Sequence, residues 1–382
     1  MAVVSIKRSG QGNSAASSER EHSLPDPGWF RALRRKLVTW FQGNARDLPW
    51  RRTRDAYCVW VSEIMLQQTQ VATVKPYFER FVAVFPTIAA LAAADEEQVL
   101  RLWEGLGYYR RARQLHQAAR ILVAQHDGCF PRDRETLSRL PGIGRYTTGA
   151  ILSIAFDARE PILEANTTRL WARLLAYRGQ PTSAAGSRLL WAAAEAALPR
   201  QGSGTLNQAL MELGSTVCLA KSPRCEVCPA AALCQARIAG IEGEIPPPKS
   251  KPRTEHRFEA AVIVRRRGRL LLLRQPDGGR WAGLWDFPRL QVHGREPAEI
   301  ERELTEGVRR LTGVTVQVRG RRTTLRHGVT RFRITLLCYE ADYVAACERP
   351  NGAPTMRWLR PAELEAYPLS TTGRTLARLV AE

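Results

Sequence analysis

Two carboxylates and four thiols are the residues in this 382-residue chain whose placement could do chemistry. Glu63 lies in DAYCVWVSEIMLQQTQV, residues 55 to 71, which reads as a helix capped by Asp55. At helical spacing Glu63, Gln67 and Gln70 share one face, with Val61, Ile64, Met65 and Val71 opposite. A carboxyl at the edge of an apolar face has its pKa raised by partial burial, as a general acid requires. Glu164 lies in PILEANTTRLW, where an apolar, strand-like stretch enters a helix expected to be capped by Asn166. The helix dipole there favours the ionised carboxylate, and a fixed anion could stabilise a developing sugar cation. Glu63 and Glu164 together would be the acid and the anion of glycosidic chemistry. Each also has an ordinary reading, as a solvated helix residue and as a charge at a helix end.

Cys218, Cys225, Cys228 and Cys234 fall within CLAKSPRCEVCPAAALC, spaced CX6CX2CX5C, while Cys58, Cys129, Cys338 and Cys347 are scattered. This is not a disulfide framework, so a reducing compartment is expected, with the clustered thiolates as metal ligands. Four cysteines could hold zinc or an iron-sulfur cluster. Zinc ribbons more often pair two CXXC knuckles; one is present here, which favours the cluster.

In LPGIGRYTTGAIL, Gly142-Ile143-Gly144 can turn with positive φ and approach a ligand closely. The helix that follows, with Arg145 in its first turn, offers free amides and a positive dipole end to a phosphate. Tyr108 and Tyr109, followed by arginines in LGYYRRAR, supply stacking faces beside phosphate-seeking charge.

The positioning elements read as follows. Residues 25 to 236 are almost wholly helical, with apolar residues at three- and four-residue steps. Residues 1 to 24 read as a disordered tail, and the proline-rich, basic 237–256 as an extended linker. Residues 257 to 378 alternate strand-like runs with a helix near 298–311, giving a mixed α and β domain. The balance of 57 Lys+Arg against 37 Asp+Glu, net +20, points to a polyanion. No run reaches the roughly 18 apolar residues of a membrane span. A cytoplasmic, nucleoid-associated monomer is expected.

VSEIMLQQTQV, LGYYRRAR, LPGIG, PILEANTTR and the cysteine spacing together resemble the helix-hairpin-helix DNA glycosylase superfamily, most closely the MutY-type adenine DNA glycosylases. The resemblance implies an all-α, two-lobed catalytic domain with DNA in the cleft, a 4Fe-4S cluster on the four cysteines, and a Nudix-like lesion-recognition domain containing WAGLWDFP. It implies that Glu63 protonates adenine mispaired with 8-oxoguanine or guanine, in double-stranded DNA. Asn166 would hydrogen-bond in the same site, Gln68 and Tyr108 would wedge into the stack, and Arg46 and Arg51 would line the pocket.

Relatives resembling endonuclease III carry a lysine where Tyr146 stands, and a phenol cannot form an imine. A monofunctional glycosylase leaving an abasic site follows, with Tyr146 a hydrogen-bonding partner. Glu164 replaces the family's usual Asp, moving the charge by roughly 1.5 Å. Gly307, Arg310 and Leu311 stand where Nudix hydrolases carry magnesium-binding glutamates, so phosphate-ester hydrolysis is not expected. The family's lesion-reading loop HXFSH appears as His327-Gly328-Val329-Thr330-Arg331. A mismatch-specific thymine glycosylase and a catalytically weak mismatch-binding protein are the alternatives.

Overall fold

The computed structural model describes residues 23–248, 254–279, 281–294, 296–329 and 331–381. Its helices in chain order are α1 (Pro27–Asn44), α2 (Ala56–Leu66), α3 (Val71–Val84), α4 (Ile88–Ala93), α5 (Glu96–Trp103), α6 (Arg110–His126), α7 (Arg134–Ser138), α8 (Arg145–Phe156), α9 (Ala165–Leu174), α10 (Ala184–Ala197), α11 (Ser203–Thr216), α12 (Gln235–Ile238), α13 (Pro297–Thr312) and α14 (Thr371–Leu379).

A helix that is apolar nearly all round must be enclosed, and α2 is. Tyr57, Val59, Trp60, Val61, Ile64 and Met65 are all buried, at the centre of a lobe completed by α3 to α8. The expectation of a half-solvated α2 is therefore corrected: Glu63 itself is buried, being enclosed among apolar neighbours. The helix also stops earlier than its pattern suggested. Gln67 is its C-cap and Gln70 the N-cap of α3, so neither shares a helix face with Glu63.

The second lobe draws on distant parts of the chain. Asp26 caps α1 by accepting from the Gly28 and Trp29 amides at 2.6 and 3.1 Å, worth about 1 kcal/mol. Phe30, Leu33 and Leu37, at helical spacing, pack with Leu170, Trp171, Leu190, Leu206 and Leu210 of α9, α10 and α11. The first described helix thus closes the lobe that carries the cysteines. The stretch expected as an extended linker from 237 to 256 starts inside α12, and Ile245 is buried with Ala172 and Ala236. An apolar side chain beside such a pocket gains by leaving water. The Ile245 carbonyl also accepts from Arg173 Nε at 2.8 Å.

The C-terminal domain is a seven-stranded mixed sheet built from β1 (Glu255–Arg266), β2 (Arg269–Arg274), β3 (Trp285–Asp286), β4 (Arg289–Gln291), β5 (Val314–Val329), β6 (Phe332–Ala346) and β7 (Met356–Leu359). The main path runs β3-β2-β1-β6-β5, with β1 and β6 parallel. β1 reads as a continuous apolar run because both faces are covered. Val262 and Val264 face α13, while Ala261 and Ile263 face α14. A Cβ at Gly307 on α13 would meet Leu290 at 2.5 Å, so the place of an expected metal-binding glutamate is filled by hydrocarbon. Among the described residues no helix is long and apolar enough to cross a membrane.

Candidate active site and nucleic-acid interface

Between the lobes lies an open cleft of about 610 Å3. α2 contributes Glu63 and its C-cap Gln67, the next turn Gln68, and the chain before α2 Arg46 and Arg51. Gly142, Gly144, Arg145 and Tyr146 enter from the hairpin, and Glu164 and Asn166 from the start of α9. Acid and anion candidates, about a hundred residues apart in sequence, line one cavity open to solvent.

Their surroundings give the two glutamates different characters. Burial raises the Glu63 carboxyl to about 7, and the nearby charge of Glu164 pushes the same way. The larger opposing influence is a hydrogen bond that the Tyr146 hydroxyl donates to Glu63 Oε2, and the charge of Arg51 adds to it. Tyr146 also contacts Met211 Sδ at 3.3 Å, and burial beside both carboxylates holds its own pKa well above the usual phenol range. It remains a neutral donor.

Glu164 is tied to a helix end. It is the N-cap of α9, correcting the expectation that Asn166 fills that role. Its Oε2 accepts from the Asn166 amide at 2.8 Å and from Asn166 Nδ2 at 3.3 Å, and its Oε1 accepts from the Thr167 amide at 2.9 Å. In return Thr167 Oγ1 accepts from the Glu164 amide at 2.8 Å. A capping carboxylate normally comes from the shorter Asp. Here the extra methylene is taken up in reaching N2 and N3 together.

The hairpin divides its glycines by role. Gly142 has φ +77°, which favours glycine, and its missing Cβ makes room for Gln114. Gly144 has φ −94° as the N-cap of α8, so the turn geometry does not demand a glycine there. A Cβ at Gly144 would meet nothing within 4 Å, leaving the start of α8 bare toward the cleft. Arg145 lies over the Trp191 ring, 3.7 Å from its centroid.

Arg46 and Arg51 line the cleft with their charges already engaged. Both bind the fully buried Glu212: Arg46 Nε to Oε1 at 2.6 Å and Arg51 Nη2 to Oε2 at 2.7 Å. Tyr108 stands apart from the cleft lining, half exposed on the loop between α5 and α6. Both Tyr108 and Gln68 adopt left-handed backbone conformations, φ +49° and +57°, strain of the kind concentrated at ligand contacts. His327 sits on β5 opposite Ile334 and does not line the cleft. Thr330 lies outside the described residues.

The four cysteines border a single small pocket together with Leu170, Arg173 and Leu174. Among the described residues no three His, Cys, Asp or Glu side chains are grouped to grip a metal ion. One zinc would require all four sulfurs at about 2.3 Å from a common centre. Arg173 Nη1 lies 3.3 Å from Cys218 Sγ, and Arg169 bridges Asn166 Oδ1 to the Cys218 carbonyl at 3.0 and 2.9 Å.

The family described as HhH-GPD superfamily base excision DNA repair protein matches residues 61–195, and a NUDIX domain matches 259–379. The rat protein named adenine DNA glycosylase is 33% identical across 94% of this chain and 80% of its own length. The chain belongs to the adenine DNA glycosylase family. A Mycolicibacterium smegmatis member is 42% identical over 54% of this chain and 70% of its own length. A solved thermostable thymine-DNA glycosylase superposes with a TM-score of 0.50 at 26% identity. It covers 56% of this chain and 98% of its own, so the likeness spans about the length of the helical lobes.

Three residues of this glycosylase escaped sequence reasoning. Glu212, in QALMELG, anchors both pocket arginines; the available signal was a lone acid within an apolar helical run. Arg169 shows no signal beyond its charge. Arg111 lies one position from the exposed Arg110, and only packing tells them apart. Its guanidinium donates to the carbonyls of Ile64 at 2.9 Å, Met65 at 3.0 Å and Gln67, and to Thr69 Oγ1 at 3.2 Å. It also reaches the carbonyls of Leu106 at 3.4 Å and Gly107 at 3.2 Å. One buried cation thus holds the strained turns of Gln68 and Tyr108.

Proposed function

We propose that this chain excises adenine from double-stranded DNA in base-excision repair, acting as a monomer on adenine opposite 8-oxoguanine or guanine and leaving an abasic site. The observation that carries the reading is a buried carboxyl with a pKa near 7 facing, across one cleft, a carboxylate fixed on a helix N-terminus. The base must leave the stack, because its glycosidic bond is inaccessible inside the duplex. Glu63 gives its proton to a ring nitrogen as the C1′–N9 bond breaks, so adenine departs neutral. The electron pair of that bond goes with the base, and the cationic sugar faces the Glu164 carboxylate. Water adds at C1′ and its proton returns to Glu63. Asn166 supports the Glu164 carboxylate and Tyr146 the Glu63 carboxyl. Tyr146 has no amine, so no Schiff base joins enzyme to sugar.

Gln68 and Tyr108 fit the role of wedges that fill the stack, with Gly142, Gly144 and Arg145 at a phosphate, Arg46 and Arg51 shaping the pocket, and His327 and Thr330 at the opposite base. A 4Fe-4S cluster, held by Cys218, Cys225, Cys228 and Cys234, would supply structural cross-linking of the loop around Arg224. Brown protein with iron-sulfur absorption supports that assignment, and stoichiometric zinc without iron refutes it.

Single-turnover release of adenine from a duplex with 8-oxoguanine opposite, scored after alkali, tests the activity. Wild type should cleave, and Glu63→Gln should do so about a hundredfold or more slowly. Tight binding without release by wild type would mark a mismatch-binding protein, and faster release of thymine than of adenine opposite guanine would mark a thymine glycosylase.

A further inference from the structure

The C-terminal domain is docked on the first lobe through α5, beside the turn that carries Tyr108. Leu284, ahead of β3, is wholly buried within that lobe's apolar core. Trp285 Nε1 donates to Glu97 Oε1 at 2.9 Å, and Arg274 pairs with Glu96 at 3.1 Å. Among the described residues the most enclosed ion pair across this contact is Arg374 of α14 with Glu104, two side chains that are 10% and 9% exposed. Arg374 Nε donates to Glu104 Oε1 at 2.7 Å and Nη2 to Oε2 at 2.9 Å, a fork-to-fork pair. The Leu369 amide adds a third donor to Oε2 at 3.1 Å.

Glu104 ends α5 and begins the turn Glu104-Gly105-Leu106-Gly107-Tyr108. Its carbonyl accepts from Tyr77 Oη at 2.8 Å, and Gly107, next to Tyr108, accepts from Trp103 Nε1 at 3.1 Å. The turn has little slack. A Cβ at Gly105 would lie 2.2 Å from Tyr77 Oη. Arg374 is fixed from behind by the carbonyls of Leu364 at 2.9 Å and Tyr367 at 2.7 Å. The pair therefore joins a rigid part of one domain to the base of a strained, half-exposed tyrosine on the other.

We infer that Arg374 is a positioning residue: through Glu104 it sets the Tyr108 turn, so the C-terminal domain governs how the first lobe wedges open the duplex. The inference rests on the proposed wedge role of Tyr108. It gives the second domain an effect on base extrusion that is separate from any contact with the opposite base.

A double-mutant cycle tests it in the full-length protein. Arg374→Gln and Tyr108→Ala are made singly and together, on a duplex with 2-aminopurine at the adenine position and guanine opposite, so that fluorescence reads extrusion directly. Arg374→Gln should lower the extrusion amplitude or rate by about tenfold, and in the Tyr108→Ala background should change nothing further. An unaltered single variant, or losses that multiply in the double variant, overturns the inference. Should Arg374→Gln lower the melting temperature enough to unfold, Glu104→Gln replaces it in the same cycle, since it keeps the side chain's shape and an acceptor oxygen. Extrusion is read without catalysis, so absence of adenine release by wild type would sink the proposed activity while the cycle still decides this coupling.

Discussion

The Glu63 carboxyl is raised to about 7 chiefly by burial, so its useful acid form is full below that pH and lost as pH rises through it. The free-enzyme rate constant for adenine release, measured with enzyme below saturation, should fall as pH rises through about 7, and Glu63→Gln should abolish that dependence. Loss of a positioned acid costs about a hundred- to ten-thousandfold. A flat profile in wild type would show that Glu63 is not the donor. Glu164→Gln removes the charge and keeps one acceptor oxygen, enough for one of the two amides that Oε1 and Oε2 now serve separately. It should leave DNA affinity near wild type and lower the melting temperature only by the loss of one cap hydrogen bond, yet slow release by about a hundredfold or more, the scale of losing one electrostatic partner of the transition state. An equal loss of affinity would mean that Glu164 serves binding instead.

At the scale of elements, the two strained turns depend on Arg111. Burial lowers its pKa to about 10, so it stays charged at neutral pH, and it gathers donors onto both turns at once. Arg111→Ala leaves buried carbonyls without partners and should destabilise by about 3 kcal/mol in urea unfolding. Arg111→Lys should recover part of that stability but little base extrusion, because an ammonium cannot span the two turns as a planar fork does. If lysine restores both, the guanidinium geometry is irrelevant. The α9 helix shows similar economy: its first turn holds Glu164 and Asn166 while Arg169 and Arg173 reach the cysteine loop. Cys228→Ser should therefore disturb the cleft as well as the loop, read as weaker DNA binding together with faster proteolysis between 218 and 234.

Over the whole molecule the excess of cations sets how DNA is met. A net charge of +20 predicts that the logarithm of the association constant falls linearly with the logarithm of salt, with a slope near −0.9 per phosphate neutralised. A slope close to zero between 50 and 200 mM salt would contradict a phosphate footprint, whatever the cleft does chemically.

How much of this was legible in the chain can be judged residue by residue. The hairpin glycines, the cysteine spacing and the helical and mixed α and β halves follow from local rules, because turn conformation, ligand spacing and apolar periodicity are properties of neighbours in sequence. Asp55 caps α2 as its sequence suggests, but the C-terminal end was misplaced for the same reason: the pattern runs on through Gln70, while a left-handed turn at Gln68 breaks it. The partial burial expected for Glu63 fell short of its full enclosure, and the cap supplied by Glu164 was not legible, since both depend on what packs around them.

Residue types and spacings by themselves determined that an acid, an anion and a thiol cluster exist here on mostly helical elements with a basic surface. Only the tertiary structure decided that Glu63 is protonated near neutrality, that Glu212 holds both pocket arginines, and that Arg374 reaches Glu104 across the domains. Desolvation and long-range ion pairing depend on which surfaces meet, and no local pattern carries that information.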